Sequence, residues 1–589
     1  MSRKLLLFWL LTGVALFVFL QVCYPYLFFF NEQSQLFLAE TAFFWENLPN
    51  PGGLTLWLSE FLVQFFSYPY AGACITAILL TLIAFVQGEI LRKLSGSSIL
   101  AMTGWLVAMA QVWVIADFNY LYQGVLSIVF VLISAWTCLS IRSDRVRLLF
   151  EAAGGLILVW WVGAASVLFA VWVFLYESVI RSNKQKWLSL CPLLITTGLL
   201  FVLWRTAVIS DFRFAFLPDA YYHHLLEPKS VIYFSWWGVW LLTGYALILH
   251  RSNWSLKTTK SKRLVAVALF VCLIVVFYVG TLRFGELKMR RYMMLDHYSR
   301  TGQWQKIEAD CQDKITNFLY MNILARALAE QGKLADTMFD YQFRGPQALA
   351  VNWNHTEDVS VLLSDIYFTA GNIALSQRLA FEGNSCARGN YNARLLQRLV
   401  QTNLIYGEYA VAEKYIRLLE KSWTYREWAK QQRKFLYKDA EVENDPLLGS
   451  KRSLLLSPED TTQQKVAGEQ LETAMQLPIL ANSAQARTAF EYLMGAYLLK
   501  KDMASFQYLI DRYWGTPLLP DLPVAYQEAL LVAHEKNPEG LDKYALNKDV
   551  LNRYADFRKQ VLANRNNRGL AGLLYRSFGD TYWYYVVFK

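Results

Sequence analysis

The sequence predicts an all-α protein in two parts, a polytopic membrane domain followed by a soluble domain of helical repeats. Apolar residues make up 55% of the 589-residue chain and charged residues only 18%, whereas a soluble domain averages about 25% charged residues. The apolar residues are also unevenly distributed. Long apolar stretches alternate with short polar gaps as far as Leu282, and the rest of the chain has the composition of a soluble protein. The first half is therefore expected to face lipid.

The predicted membrane domain covers residues 1–283 and contains about nine spans, since a spanning helix needs about 20 mostly apolar residues. The first apolar run exceeds the about 7–15 residues of a signal peptide, so we expect an uncleaved anchor. The run from Leu148 to Ile180 has basic clusters at both ends. We interpret it as a hairpin that turns near Gly163-Ala164, with one long tilted helix as the alternative. The candidate spans are approximately 5–30, 70–90, 97–115, 120–140, 148–162, 164–180, 187–206, 231–250 and 264–283.

Basic residues recur at every second polar gap, which predicts that these gaps and the N-terminus are cytoplasmic. Nine crossings then put the C-terminal domain outside, so we expect a protein of a bacterial inner membrane with a periplasmic or extracellular domain. Because much of the net charge of +10 sits in these gaps, we expect membrane lipid rather than nucleic acid as a partner. The basic gaps contain Arg3 and Lys4; Arg92 and Lys93; Arg142, Arg145 and Arg147; Arg181, Lys184 and Lys186; and Arg251, Lys257, Lys260, Lys262 and Arg263.

The second half shows apolar residues at helical spacing from about Phe284 onward. Three glycines share a G-x-x-A pattern at intervals near the 34-residue period of tetratricopeptide repeats. These pairs are Gly332/Ala335, Gly371/Ala374 and Gly407/Ala410. The sequence around Gly407 resembles the turn and second helix of such a repeat, which implies stacked helical hairpins. We predict a repeat domain at 284–438, a loop at 439–464 and a C-terminal helical region at 465–589, whose aromatic end packs back on the domain or on the membrane surface.

Several kinds of site are not indicated by motifs. The sequence contains no Walker A loop, H-E-x-x-H, G-x-S-x-G or G-x-G-x-x-G motif. His223-His224 lacks an obvious third ligand, so no metal ligands are assigned. There is no CxxC pair among the seven cysteines. Cys311 and Cys386 lie in the polar half and could pair in an oxidising compartment, a question that the sequence leaves open.

The predicted first outer loop, residues 31–69, offers the main candidate site. Its first residues are Asn31-Glu32-Gln33-Ser34-Gln35, so a carboxylate and several carboxamides lie just beyond the first span. Glu32 could act as a general base, or it could only mark where the helix leaves lipid. Gln33, Gln35 and Glu60 are the candidate substrate-binding residues of this loop. Glu60 and Gln64 lie one turn apart on one face of a helix expected in the membrane interface.

Two arginines fit a substrate that carries a phosphate, and one aspartate marks a separate polar site. Arg205 ends the seventh span on the outer side and Arg213 follows it, against the inside bias of basic residues. Arginine can hold a phosphate through two donors, although snorkelling to lipid headgroups is the alternative. Asp117, between spans three and four, is a second candidate polar site.

This layout resembles the GT-C class of membrane glycosyltransferases. The shared features are one span, a long outer loop that opens with an acidic residue, a Pro/Gly turn and an interfacial helix. The resemblance covers about residues 1–283. It implies a polyprenyl-phosphate-linked sugar donor, with Glu32 as the catalytic residue and Arg205 on the phosphate. The chain has Asn31-Glu32-Gln33 where many members have paired acids, so dependence on a divalent metal stays open.

A second resemblance covers the whole chain. Glu32-Gln33-x-Gln35-Leu36-Phe37, Pro51-Gly52-Gly53 and the Gly-Asp-Thr-Tyr-Trp ending are similar to an uncharacterised family of inner-membrane proteins typical of Bacteroidota. It implies the two-part architecture and no function. Three hypotheses follow: a GT-C-like transferase, a non-catalytic scaffold whose repeats bind an envelope protein, and a transporter or flippase component. The third is weakened because ionisable groups are rare in the middle of the spans.

Overall fold

The computed structural model describes the chain except residues 1–2, 181–187, 253–257, 314, 388–389, 456–469, 482 and 536–539, and the side chains of residues 3–4. Within these described residues the protein is all-helical and contains no β-strand. The predicted all-α class is confirmed. The chain forms two compact units. The first consists of Met1–Met293 with two short later segments, Arg388–Asn392 and Lys421–Arg426, and the second of Met294–Ala387, Ala393–Glu420 and Glu427–Lys589.

The first unit is built from apolar helices and a folded first loop. Its helices are α1 (Arg3–Cys23), α2 (Pro25–Gln33), α3 (Thr41–Asn47), α4 (Gly53–Val63), α5 (Ala71–Ser95), α6 (Trp105–Ile115), α7 (Gln123–Cys138), α8 (Asp144–Val162), α9 (Ser166–Ile180), α10 (Leu190–Arg205), α11 (Phe212–Phe216), α12 (Phe234–Ser252) and α13 (Thr259–Phe284), and α14 (Leu287–Arg300) crosses into the second unit.

Five helical segments in the described residues are long and apolar enough to cross a membrane. They are Leu5–Cys23, Ala71–Ser95, Asp144–Ile180, Ser230–Ser252 and Thr259–Phe284. The outer faces of α1 and α13 expose many large apolar side chains. Because burying a leucine is worth about 1.5–3 kcal/mol, such faces favour lipid over water. Three other predicted spans form shorter apolar helices, Leu100–Ile115, Gln123–Cys138 and Leu190–Arg205.

The segment Asp144–Ile180 is a hairpin and not one long helix. A continuous helix would separate Arg147 from Glu177 by about 45 Å, at 1.5 Å per residue. Instead the Arg147 Nε and Glu177 Oε1 atoms form a buried ion pair at 2.6 Å. The chain reverses at Gly163, which has φ of 66° between α8 and α9. The turn predicted at Gly163-Ala164 is therefore observed.

The first predicted span is shorter than expected. Its helix ends at Cys23 and a second helix, α2, starts at Pro25. Proline suits the first position of a helix, because its ring fixes φ and no N–H is needed there. Glu32 therefore lies near the end of a separate short helix.

The second unit is a succession of helices, several of them packed on their neighbours in sequence. The sequential pairs α18–α19, α19–α20 and α20–α21 all pack together. Its helices are α15 (Trp304–Asp310), α16 (Phe318–Glu330), α17 (Leu334–Thr337), α18 (Glu357–Ala370), α19 (Ile373–Ser385), α20 (Ala393–Tyr406), α21 (Tyr409–Glu420), α22 (Arg426–Gln432, which starts in the first unit), α23 (Asp439–Asn444), α24 (Leu448–Arg452), α25 (Leu471–Ile479), α26 (Arg487–Lys500), α27 (Met503–Tyr513), α28 (Val524–Ala533), α29 (Lys548–Ala563), α30 (Leu570–Phe578) and α31 (Tyr582–Phe588).

The predicted subdivision of the second half stays a prediction. The segment 439–464 begins with the short helices α23 and α24, and its residues from 456 onward lie outside the described part of the chain. The same holds for Arg181, Lys184, Lys186 and Lys257 of the charge pattern. The aromatic C-terminus does pack back on its own domain, as predicted. Trp583 and Tyr584 in α31 join a core with Phe557, Leu574 and Phe578.

The second unit contains one buried carboxylate that is shared by three arginines. Asp365 on α18 pairs with Arg326 at 2.6 Å, with Arg398 at 2.8 Å and with Arg394. Arg394 also binds Asp296 at 2.7 Å. These guanidinium groups hold the pKa of the buried Asp365 carboxyl far below its usual range, although burial opposes them. The cluster links helices that are distant in sequence.

Candidate functional site

Glu32 is held inside the first unit at the end of α2. Phe28, one turn earlier, packs edge-on against Phe66 with ring centroids 5.4 Å apart. This contact fixes α2 against the 3-10 helix Gln64–Ser67. The Glu32 side chain is only 3% exposed, and its Oε2 accepts a hydrogen bond from the Tyr425 hydroxyl at 2.8 Å. Glu32 is therefore a buried acceptor and not a group at an open surface.

Two neighbouring carboxamides add further buried acceptors. Gln33 and Gln35 are both buried, and their Oε1 atoms have no hydrogen-bond partner in the described part of the chain. Leaving a buried acceptor without a donor costs about 1–3 kcal/mol. Such groups are rare in native structures and call for an explanation. A bound donor is one explanation.

The second carboxyl group, Glu60, lies on α4 and is fully buried. The Asn390 side-chain amide donates to its Oε2 at 3.3 Å, and its Oε1 has no partner among the described residues. Burial raises the pKa of the Glu60 carboxyl well above its usual range, and a hydrogen bond from the Asn390 backbone only partly opposes this. Gln64, one turn later, is also buried with an unpartnered Oε1.

We call Glu32, Gln33, Gln35, Glu60 and Gln64 the first-loop site, because α2 packs against both α4 and the 3-10 helix that follows it. This definition includes the predicted base and three of the predicted substrate-binding residues. Its two carboxyl groups have different surroundings. Different surroundings are what allow two carboxyl groups to take separate acid and base roles.

Two distant segments of the chain complete this site. The backbone N–H of Leu36 donates to Tyr391 O at 3.3 Å, and that of Ala39 donates to Lys421 O at 2.8 Å. The Lys421 ammonium also pairs with Glu40 at 2.8 Å. These contacts bring Asn390 and Tyr425 to the carboxyl groups of the first loop. Sequence analysis missed both residues, since neither belongs to a motif or lies near the loop in sequence.

An aromatic cluster borders the first-loop site. Phe61 lies 5.4 Å from Phe37 and 5.9 Å from Trp423, measured between ring centroids. Trp57 stacks on Phe61 at 6.0 Å. The Trp423 side chain is 49% exposed. Exposed aromatic faces of this kind provide apolar contact area beside polar groups.

Asp117 lies in a separate, fully occupied network. It accepts hydrogen bonds from Tyr222 at 2.9 Å and from the backbone and side chain of Asn119 at 3.0 Å. It also pairs with the Lys229 ammonium at 2.8 Å. Leu121 N donates to Tyr221 O at 2.7 Å, so this network ties two loops together. The contacts favour a structural role for Asp117.

The two predicted phosphate ligands, Arg205 and Arg213, are exposed. In the described chain, no hydrogen bond or ion pair joins Arg205 or Arg213 to Glu32 or Glu60. Arg205 lies at the end of α10 with its guanidinium 5.7 Å from the Trp204 ring. Arg213 pairs loosely with Asp211 at 3.7 Å.

The remaining candidates are cysteines and histidines. Cys311 and Cys386 are both free thiols. His223 Nδ1 accepts a hydrogen bond from the backbone of Leu225 at 3.2 Å, and its ring stacks on His224. No group of three or more His, Cys, Asp or Glu residues placed to hold a metal ion occurs among the described residues.

Fold and site together define an all-helical protein with helices able to cross a membrane and a buried polar site in its first loop. Over its full length, residues 1–589, the chain matches the model of a family of unknown function, DUF6057, and it belongs to that family. No curated protein matches the chain. No solved structure matches it either.

Proposed function

We propose that this protein moves a sugar from a polyprenyl-phosphate carrier to an acceptor at the outer face of the inner membrane, in the manner of a glycosyltransferase. The observation that carries the proposal is the set of buried acceptor oxygens in the first-loop site. Gln33, Gln35, Glu60 and Gln64 each present one without a partner in the described chain. Sugar hydroxyl groups are the donors that such a site would take, and the bordering aromatic cluster would cover an apolar sugar face.

In the proposed reaction Glu32 is the general base. It takes the proton of the acceptor hydroxyl while that oxygen bonds to the anomeric carbon of the sugar and the bond to the carrier phosphate breaks. Glu60 offers its unpartnered Oε1 atom to a sugar hydroxyl group. Arg205 and Arg213 would hold the leaving polyprenyl phosphate. A divalent metal is not required by these roles.

A scaffold function is the second candidate, and one observation favours it. Glu32 is covered and already accepts a hydrogen bond from Tyr425. A carboxylate used only to fix the loop would look the same. In the scaffold function, the successive helices of the second unit form a repeat surface that binds an envelope protein.

The topology proposed with this function has nine crossings and a cytoplasmic N-terminus. The loop charges support it, as does the hairpin of α8 and α9, which returns the chain to one side. Reporter fusions after Ser143 and after Lys186 are expected to report the same cytoplasmic side, and a fusion after Lys589 the outer side. Opposite sides for the first two fusions would overturn the nine-crossing topology.

The test of the proposed function compares Glu32→Gln with the exposed control Glu46→Gln. Membranes from cells with each variant are analysed by mass spectrometry for polyprenyl-linked sugars and envelope glycans. The transferase proposal expects Glu32→Gln to accumulate the lipid-linked donor and lose a glycan product, while Glu46→Gln behaves as wild type. Unchanged glycans in Glu32→Gln, together with a defect on deleting residues 290–589, would establish the scaffold instead.

A further inference from the structure

A basic helical hairpin near the C-terminus presents apolar side chains that its own core does not use. It consists of the end of α29, a short turn and α30. We call residues 558–576 the basic tip. This segment contains no acidic residue and five basic ones, namely Arg558, Lys559, Arg565, Arg568 and Arg576.

The hairpin is anchored by the opposite faces of its helices. Val550 and Phe557 on α29 and Leu574 and Phe578 on α30 are buried in one core with Trp583. The rings of Phe557 and Phe578 lie 5.3 Å apart. These contacts pack the two helices on one core, and the side chains on their outward faces do not belong to it.

The turn at the end of the hairpin has a defined conformation. The Asn567 side-chain oxygen accepts a hydrogen bond from Gly569 N at 2.8 Å, and Asn567 N donates to Asn564 O at 2.9 Å. Both turn arginines, Arg565 and Arg568, are exposed and have no ion-pair partner in the described chain. The ordered turn therefore carries two unpaired positive charges.

Leucines on both sides of this turn point outward. Leu562, in the last turn of α29, is 67% exposed, and Leu573, in the first turn of α30, is 54% exposed. Exposed leucines beside unpaired arginines are the composition of interfacial helices, in which apolar side chains enter the acyl boundary while cations contact anionic headgroups. An acidic protein surface would complement the charges, but it would not by itself require two outward leucines that flank a turn.

We propose that the basic tip docks on an anionic phospholipid surface, with Leu562 and Leu573 inserted and Arg565 and Arg568 on the lipid phosphates. The candidate spans of the same chain tether it to a bilayer, which keeps a lipid surface within reach. The contact depends on lipid charge and weakens with salt, because surface attraction is screened beyond a Debye length of about 10 Å at 0.1 M. This proposal does not depend on the transferase function.

The test uses the full-length protein in nanodiscs, with the photocrosslinking residue benzoylphenylalanine placed at Leu562 or at Leu573. The control position is Leu551, an exposed leucine on α29, 40% exposed, about 16 Å further along the helix at 1.5 Å per residue. Discs of phosphatidylcholine alone are compared with discs that also contain phosphatidylglycerol. Lipid adducts are counted by mass spectrometry.

We expect at least a fivefold higher lipid-adduct yield at positions 562 and 573 than at 551 in the anionic discs. This difference in adduct yield should become smaller in discs of phosphatidylcholine alone. It should also become smaller in the Arg565→Gln/Arg568→Gln double variant, which leaves the core intact because both arginines are exposed. Equal yields at positions 562 and 551 would overturn the proposal. An adduct yield that changes neither with lipid charge nor on substitution of the two arginines would overturn it as well. Unchanged thermal melting of each variant verifies that the hairpin is folded.

Discussion

The Tyr425 hydroxyl donates a hydrogen bond to Glu32 at 2.8 Å from a position 393 residues further along the chain. This contact makes a late segment part of the first-loop site, next to the carboxylate proposed as the base. Asn390 makes the equivalent contact with Glu60. The site is therefore assembled from three separated stretches of sequence.

Tyr425→Phe tests the strength of this contact. Removing the hydroxyl leaves one buried oxygen of Glu32 without that donor, and we expect a loss of about 1–3 kcal/mol of stability. Thermal melting in detergent or nanodiscs measures the loss. Tyr437→Phe is the matched control, because the Tyr437 hydroxyl makes a longer, 3.3 Å bond to Glu413 on the surface. Equal melting temperatures for the two variants would show that the Tyr425 contact contributes little.

Asp365→Asn tests the arginine cluster of the second unit. The substitution leaves buried guanidinium groups without their shared counter-charge, which costs about 3–5 kcal/mol when one partner of a buried pair is removed. The melting temperature of Asp365→Asn should be much lower than that of wild type. Because the pKa of Asp365 is depressed, this contribution is present above its ordinary pKa and disappears only as the pH falls through the depressed value.

The control for Asp365→Asn is Glu427→Gln, which removes an exposed ion pair with Lys430. Exposed pairs are worth about 0–1 kcal/mol, so this variant should melt close to wild type. If Asp365→Asn melted equally close to wild type, the cluster would not be a stabilising feature of the unit.

The buried carboxyl group of Glu528 should make the stability of the second unit depend on pH. Burial raises the pKa of its carboxyl to about 8, although the Tyr582 backbone N–H, which donates to it at 2.7 Å, and Arg553 oppose the shift. The folded state thus holds this proton more tightly than the unfolded state. The stabilising contribution is complete below the ordinary value near 4.5 and is lost as the pH rises through about 8.

Glu528→Gln mimics the protonated side chain, so its melting temperature should fall less between pH 5 and pH 9, roughly the window of the shift. Melting curves across that range provide the measurement. The exposed Glu441→Gln variant should keep the wild-type slope. If the melting temperature of Glu528→Gln fell with pH as steeply as that of wild type, other groups would be responsible for the pH dependence.

Gly52 of the Pro51-Gly52-Gly53 motif lies in a turn that packs against the turn at Gly163. Gly52 and Gly163 have φ of 78° and 66°. A Cβ on Gly52 would lie 2.9 Å from the Gln123 side chain and 3.3 Å from Gly163 N. Gly52→Ala and Gly163→Ala should each cost about 1 kcal/mol or more, from backbone strain and, for Gly52, also from this close contact.

The control for these variants is Gly198→Ala in α10, where an added Cβ meets nothing within 4 Å. Alanine there is favoured over glycine by up to about 1 kcal/mol. The melting temperature should therefore rise or stay constant in Gly198→Ala and fall in Gly52→Ala and Gly163→Ala. The same direction of change in all three would contradict the role of the paired turns.

The sequence by itself determined the helical class, the position of the apolar helices and the hairpin at Gly163. Apolar periodicity, helix length and loop charge are local properties, and they remain visible in any stretch of about 20 residues. It also located Glu32, Gln33, Gln35 and Glu60 in the first loop, since polar residues beside an apolar run are conspicuous.

Only the tertiary structure decided what those residues contact. Asn390 and Tyr425 carry no local signal, and hydrogen bonds across hundreds of residues depend on how the chain folds back. The end of α1 at Cys23 was missed for a different reason, since Pro25 interrupts a run whose apolar character continues to Phe30. Hydrophobicity selects the residues that leave water, whereas directional hydrogen bonds and backbone geometry select their partners.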